Sequence, residues 1–301
     1  CPFYEQELIT KLSKKIDELK NLHNIVPSLA TILVGNNPAS EIYVRNKTKK
    51  ANKLGIKVTN HYLKEDTNEK DLLSLIDKLN TNQSINAILL QMPLPKHLNS
   101  QKIISHINPL KDVDGLHPLN AGYLLNKNYY ELIPCTPLAI WYVLKKETTL
   151  TGKNAVVIGR SNLVGLPTAL LLLHENATVT ICHSHTKDLE NICKSADILV
   201  AAIGKSYFIT KNHIKKRAIV IDVGINRTVN AAIEHQNDTK KQPTYIITGD
   251  VNTNEALAQN ARVTPVPKGI GKLTIVFLLY NTYKATLKQH NLPDDSYDIF
   301  F

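Results

Sequence analysis

Short apolar runs alternate with amphipathic helical stretches in two successive series, and this alternation most limits what the 301-residue chain can fold into. Leu29–Val34 reads as a buried strand, Ala39–Leu54 as a helix and Lys57–Leu63 as a strand. Glu69–Leu79 then reads as a helix and Ala87–Leu90 as a strand. Phe3–Leu22 precedes them with helical spacing of its own. Such alternation implies βαβ units and a mostly parallel sheet, because parallel neighbours need a crossover long enough to hold a helix. A junction follows at Pro134-Cys135-Thr136-Pro137, with a helix over Ala139–Lys146. A second α/β series then begins, with strands at Ala155–Ile158, Thr178–Ile181, Ile198–Ala202, Ala218–Asp222 and Thr244–Thr248. The expectation is two domains, 1–138 and 139–271, with a last helix from about Lys272 to His290 packing back on the first. Thr228–Gln242 is polar and irregular and reads as a mobile surface loop, and the tail from Pro293 is acidic and aromatic.

Composition narrows the function. No window approaches the ~18 apolar residues of a membrane span, and the opening Cys-Pro-Phe-Tyr-Glu-Gln does not read as a signal peptide. Cys1, Cys135, Cys182 and Cys193 show no paired metal spacing, so they read as reduced thiols of a cytoplasmic protein with no metal. The formal charge is +10. Its Lys and Arg are scattered without interleaved aromatics, which argues against nucleic acid. The open choices are a compositional bias and a small polyanionic ligand.

Tyr43 and Lys47 stand four apart in a helical stretch, so one turn presents a phenol and an amine on one face. Gln91 sits at the C-terminal end of the Ala87–Leu90 strand, where α/β folds place ligand contacts. Lys111-Asp112-Val113-Asp114-Gly115 sets two carboxylates two apart in a turn. One suits a helix cap and the other an amide-rich ring edge. In the second series, Gly159-Arg160-Ser161-Asn162-Leu163-Val164-Gly165 follows a strand and opens a helix. That context suits a dinucleotide pyrophosphate, although Ser161 replaces the middle glycine of the usual pattern. After the next strand come His183, Ser184, His185 and Lys187, with no carboxylate before Asp188. With Arg160, these groups suit a 2′-phosphate and favour NADP over NAD. Tyr-x-x-x-Lys also marks short-chain dehydrogenases. There, however, it follows the nucleotide loop, and here it precedes that loop by more than a hundred residues.

Taken in order, these segments resemble the bifunctional methylenetetrahydrofolate dehydrogenase/methenyltetrahydrofolate cyclohydrolase family. The resemblance rests on Val34-Gly35, Pro38-Ala39-Ser40, Tyr43, Lys47, Gln91, Pro93-Leu94-Pro95 and Lys111 to Gly115. It continues through Pro134 to Pro137, Gly159 to Ser161, Val164-Gly165, Pro167, Asp222-Val223-Gly224, Gly249-Asp250-Val251 and Thr264 to Pro267. It implies an N-terminal α/β substrate and catalytic domain, and a C-terminal Rossmann-like NADP-binding domain. The implied chemistry is oxidation of 5,10-methylenetetrahydrofolate to the methenyl form, then hydrolysis to 10-formyltetrahydrofolate. The resemblance makes Lys47 the central catalytic residue, with Tyr43 orienting the folate, Gln91 tuning Lys47 and Asp114 anchoring the pterin. It adds Pro265 and Gly269 on the substrate side. On the cofactor side it implies Gly159, Arg160, Ser161, Gly165, His183, Ser184 and Ile225. A homodimer joined through the nucleotide-binding domains and folate substrates with or without polyglutamate tails also follow from it.

The chain departs from the family after Pro267. It reads Lys268-Gly269-Ile270-Gly271-Lys272-Leu273, where the family carries glycine, proline and methionine in place of Lys268, Lys272 and Leu273. A dehydrogenase with impaired cyclohydrolase, a weakened folate-binding protein and an unrelated two-domain NADP dehydrogenase of the shikimate type are the competing readings.

Overall fold

The computed structural model describes residues 2–128, 131–229 and 245–300. The chain divides into two compact units, Ala139–Leu273 and Phe3–Leu138 together with the chain from Thr274 onward.

The chain enters with α1 (Pro2–His23), whose Leu8, Leu12, Ile16 and Leu19 form one buried stripe three to four residues apart. Then come β1 (Ser28–Val34), α2 (Pro38–Lys53), β2 (Lys57–Leu63), α3 (Glu69–Thr81), β3 (Ala87–Leu90), α4 (Ser100–Ile104), α5 (Pro118–Leu125) and α6 (Cys135–Glu147). The three strands form a parallel sheet in the order β2-β1-β3, with Ser28 opposite Lys57 and Leu29 opposite Ala87. The central strand β1 is buried at every residue, the expected state of a parallel strand covered on both faces. Ala30, Ile32, Leu72, Ile76, Ile88 and Leu90 pack into one core, and each isoleucine or leucine side chain contributes about 1.5–3 kcal/mol by leaving water.

One addition to this sheet positions the site. The Ile88 amide donates to the Lys111 carbonyl at 2.7 Å, and Ile88 bridges Asp112 in parallel. Residues 111 and 112 therefore run as an extra lane beside β3. Lys111 is buried, and its Nζ donates to the Leu79 and Asn82 carbonyls at 2.9 and 2.8 Å. It closes the C-terminal end of α3, where a cation meets the negative end of the helix dipole. Burial draws its pKa down.

The second unit continues with β4 (Asn154–Ile158), α7 (Gly165–His174), β5 (Thr178–Cys182), α8 (Leu189–Lys194), β6 (Ile198–Ala201), β7 (Ile219–Asp222), β8 (Asn226–Val229), β9 (Tyr245–Thr248), α9 (Thr253–Ala258), β10 (Arg262–Val263) and α10 (Ile270–Gln289). Its five parallel strands take the order β10-β7-β6-β4-β5. The strand expected at Thr244–Thr248 does not join them. Tyr245–Thr248 pairs antiparallel with Asn226–Val229 in a separate ribbon, so Thr228 lies in a strand and the remainder of the expected loop from Asn230 to Gln242 falls outside the described residues. The junction also differs from expectation. Cys135-Thr136-Pro137 is the first turn of α6, where proline is tolerated because its missing N–H has no helical partner.

From Thr274 onward α10 belongs with the first unit. Val276, Phe277, Leu278, Leu279, Tyr280 and Tyr283 are all buried, as befits a helix covered on every side. The acidic, aromatic tail is its clasp. Tyr283 Oη donates to Asp295 at 2.7 Å, Tyr280 pairs with Ser296 at 3.0 Å, and the Phe300 ring packs on Tyr280 at 4.9 Å between centroids. Lys284, 1% exposed and 3.7 Å from Asp294, has its pKa pulled down to about 8 by burial.

Candidate active site

Lys47, Gln91 and Asp114 come from three segments that the first unit's sheet brings together. Asn37 opens α2 by accepting the Ser40 amide at 3.2 Å, and Tyr43 and Lys47 follow one turn apart on that helix. Gln91 directly follows β3, and its backbone N–H donates to the Ile32 carbonyl at 2.9 Å. Asp114 follows the short lane beside β3. Lys47 Nζ donates to Gln91 Oε1 at 3.0 Å, and Gln91 Nε2 donates to the Met92 carbonyl at 2.8 Å. The second bond orients the amide, so its oxygen is offered to the lysine.

Asp114 is electrostatically tied to the same group. Burial pushes its pKa up, while the Lys47 ammonium and a hydrogen bond with Cys135 oppose that rise. The Cys135 thiol is pushed well above its ordinary range by burial and by Asp114. Asp114 is only partly buried. Tyr43, one helical turn before Lys47 on α2, is 37% exposed, its phenol pKa raised by burial. The cluster therefore offers an aromatic face, a lysine held by an amide, and a carboxylate. Those groups can orient a flat heterocycle and move a proton.

The paired carboxylates have separate roles. Asp112 is buried and accepts the His117 amide at 2.7 Å and the Asn120 side chain at 2.9 Å. It fastens the start of α5, and burial lifts its pKa to about 6, with Asp114 adding to the rise.

In the second unit the predicted nucleotide loop joins β4 to α7. Gly159 has φ +126° and no room for a side chain, because a Cβ would overlap the Ala202 carbonyl at the end of β6. A Cβ on Gly165 would overlap the Gly159 carbonyl. The turn is thus drawn tight over the strand ends, the close-packed cradle that a pyrophosphate needs. Ser161 Oγ accepts the Val164 amide at 3.2 Å, taking the place of an N-cap for α7. Arg160 and Ser184 are exposed, and His183 is partly so. Thr186 Oγ1 accepts the His183 amide at 2.8 Å, folding 183–186 into a compact turn at the end of β5. No carboxylate stands between Cys182 and Lys187. This donor set fits a phosphorylated ribose.

Ile225 is 51% exposed. Pro265 and Gly269 lie in the segment leading to α10, and Gly269 packs against the Pro265 carbonyl. The departure at position 268 has a conformational consequence: Lys268 adopts φ +80°, the region glycine enters freely and lysine does not. Leu273 is fully buried, while Lys268 and Lys272 are exposed.

Two residues had no role assigned by sequence reasoning. Asp222 accepts the Gly224, Asp250 and Val251 amides at 2.9–3.0 Å. Asp250 accepts the Ile203, Gly204 and Lys205 amides at 2.6–3.0 Å and the Asn226 side chain at 2.9 Å. Together they fasten the loops that leave β6 and β7. Their partners are spread over nearly fifty residues of sequence, and no local pattern signals them.

Fold and site thus define an α/β enzyme of the dehydrogenase type, with a nucleotide cradle in one unit and a lysine–amide–carboxylate group in the other. Residues 4–114 match the family model for the tetrahydrofolate dehydrogenase/cyclohydrolase catalytic domain, and residues 134–290 match that for its NAD(P)-binding domain. The chain belongs to the tetrahydrofolate dehydrogenase/cyclohydrolase family. It is 44% identical over 288 residues to the bifunctional protein FolD of Streptococcus agalactiae serotype V, covering 95% of this chain and 96% of that one. It is 45% identical over 284 residues to the FolD protein of Streptococcus pyogenes serotype M5, covering 94% and 95%. The crystal structure of FolD from Campylobacter jejuni superposes with a TM-score of 0.86 at 40% identity, covering 94% and 96%. The Trypanosoma brucei dehydrogenase–cyclohydrolase, crystallised with NADP cofactor and inhibitor, gives 0.86 at 33% identity, covering 94% and 95%.

Proposed function

We infer that the protein oxidises 5,10-methylenetetrahydrofolate to the 5,10-methenyl form with NADP and hydrolyses that cation to 10-formyltetrahydrofolate. The observation that carries this reading is the Lys47–Gln91 hydrogen bond beside Asp114 in the part of the chain matched as the catalytic domain. When bound, NADP accepts the hydride that leaves the methylene carbon. The oxidation asks the protein mainly to hold its substrate in place. Tyr43 supplies the ring face for that, and Asp114 accepts hydrogen bonds from the amide-rich pterin edge.

Hydrolysis asks for more. Water adds to the methenyl carbon and loses one proton; the proton of the resulting hydroxyl then passes to one ring nitrogen as its carbon–nitrogen bond breaks, which leaves the formyl group on the other. The cationic substrate disfavours a second positive charge nearby. Lys47 can then give up its proton and receive the one lost by the attacking water, held throughout by Gln91. The intact group supports both activities, rather than a dehydrogenase alone or a folate-binding protein without turnover.

The cradle at Gly159–Gly165, with Arg160, Ser161, His183, Ser184 and Ile225, would hold NADP, and the absence of a carboxylate after β5 favours its 2′-phosphate over a free hydroxyl. The exposed cations Lys268 and Lys272 suit the carboxylates of polyglutamylated folates. A homodimer through this unit is supported by β5, an edge strand with Ile181 exposed, and by exposed Leu166 and Leu173 on α7. No described helix is long and apolar enough to cross a membrane, and the free thiols of Cys135, Cys182 and Cys193 suit a cytoplasmic enzyme.

The test supplies 5,10-methylenetetrahydrofolate with NADP or NAD and follows formation and decay of the methenyl chromophore. The expected result is formation with NADP in preference to NAD, then enzyme-dependent decay. In Lys47→Met, decay is lost while some hydride transfer survives. Undiminished hydrolysis of the methenyl substrate in that variant overturns the assignment of Lys47.

A further inference from the structure

Asn281 lies in the buried middle of α10, 1% exposed. Its Nδ2 donates to the Val113 carbonyl and to the Ile133 carbonyl, both at 2.8 Å, and approaches Cys135 Sγ at 3.5 Å. Val113 precedes Asp114, and Ile133 comes two residues before Cys135. One side-chain amide thus ties together the two backbone segments that flank the Asp114 carboxylate. The clamp has two further parts. Cys135 Sγ donates to the same Val113 carbonyl at 3.2 Å, and the thiol acts on the Asp114 carboxylate by opposing the rise of its pKa. Gly115, at φ +69°, sits so close to the Ile133–Pro134 peptide that a Cβ would lie 2.5 Å from the Pro134 nitrogen. The turn carrying Asp114 is therefore pressed against residues 133–135 and pinned there from α10.

The other half of the Asn281 amide argues that the residue is kept for its donor. Its Oδ1 is buried with no hydrogen-bond partner among the described residues. A buried acceptor left unpaired is unfavourable, and a leucine of similar volume would avoid that cost. Packing alone does not account for an asparagine here, whereas two short bonds to the Val113 and Ile133 carbonyls do.

We propose that Asn281 is a positioning residue for the folate substrate, holding the Asp114 carboxylate at the site from the C-terminal helix. The proposal rests on the reading that Asp114 anchors the folate, and the experiment separates the two. Full-length Asn281→Ala, Asp114→Asn, the double variant and Gln289→Ala are compared by KM for methylenetetrahydrofolate, KM for NADP, kcat and melting temperature. Gln289 is the control on the same helix: its Nε2 also donates to two carbonyls, of Asn86 at 2.7 Å and Leu110 at 3.2 Å, away from the Asp114 turn.

Misplacement of a binding group by about 1 Å costs up to about 100-fold. Asn281→Ala is therefore expected to raise the folate KM about tenfold, with the NADP KM within about twofold of wild type. Gln289→Ala lowers the melting temperature without moving the folate KM. In the Asp114→Asn background, Asn281→Ala adds little, because its effect passes through that carboxylate. If Asn281→Ala does not fold, Asn281→Ser, which keeps a donor, takes its place with a smaller rise in folate KM. An unchanged folate KM in Asn281→Ala overturns the proposal, as does an equal rise in the presence and absence of Asp114. An unchanged folate KM in Asp114→Asn alone overturns the anchoring reading, and this proposal with it.

Discussion

Each unit holds a pair of aspartates, and the two pairs are used in opposite ways. Asp222 and Asp250 are almost fully enclosed and between them accept six backbone amides and the Asn226 side chain. Their hydrogen-bonding capacity is spent within the fold, so they shape loops and have little left for a ligand. In the other unit the work is divided. Asp112 is enclosed and fastens the start of α5, while Asp114 stays partly open beside a lysine and a thiol. A carboxylate saturated with backbone N–H groups is architecture. One that keeps an accessible face beside a lysine is available for chemistry.

That comparison can be broken by substitution, and the largest effect is expected at the lysine. Loss of general acid–base help typically costs about 100- to 10,000-fold, so Lys47→Met should lose hydrolysis on that scale while its melting temperature stays near wild type. Asp250→Ala should show the reverse, a loss of about 3–5 kcal/mol of stability, because several buried N–H groups lose their acceptor at once. Urea unfolding measures it. A variant with wild-type stability would show that the enclosed pair is not architectural.

A smaller effect sharpens the contrast through pH. The raised pKa values of Asp112 and Asp222, both about 6, mean that the native state favours their protonated forms. That contribution is complete below the ordinary aspartate range and is lost as pH rises through about 6. The stability advantage of wild type over Asp112→Asn should therefore shrink between about pH 4 and pH 7. Unfolding midpoints across that range check the sign, and a widening advantage would contradict it. The smallest expected change is Lys268→Gly. Relieving the positive φ of a lysine should stabilise the unit by about 1 kcal/mol, read as a higher melting temperature.

Much of this arrangement was legible along the chain. The apolar runs that predict β1, β3, β4 and β6 are continuous and fully buried, and such strands carry a strong local signal. Tyr43 and Lys47 share a helix face by spacing alone, and the close-packed glycines of 159–165 follow from their place between strand and helix. Other parts were not legible. The two-residue β10 is too short to show a period. The expected fifth strand sits in a separate antiparallel ribbon, because apolar alternation states that a strand exists and not which neighbour it takes.

The sequence by itself determined the class of fold, and the order along the chain of the helix that carries Tyr43 and Lys47 and the glycine turn between β4 and α7. These depend on local periodicity and on neighbours within one turn. Only the tertiary structure decided which of two aspartates in Lys111-Asp112-Val113-Asp114 stays open to a ligand, that Lys111 closes a helix, and that Asn281 reaches Val113 and Ile133 from more than a hundred residues away. The reason is physical. Whether a polar side chain serves the fold or the chemistry depends on which partners satisfy its hydrogen bonds, and packing brings those partners from distant parts of the chain.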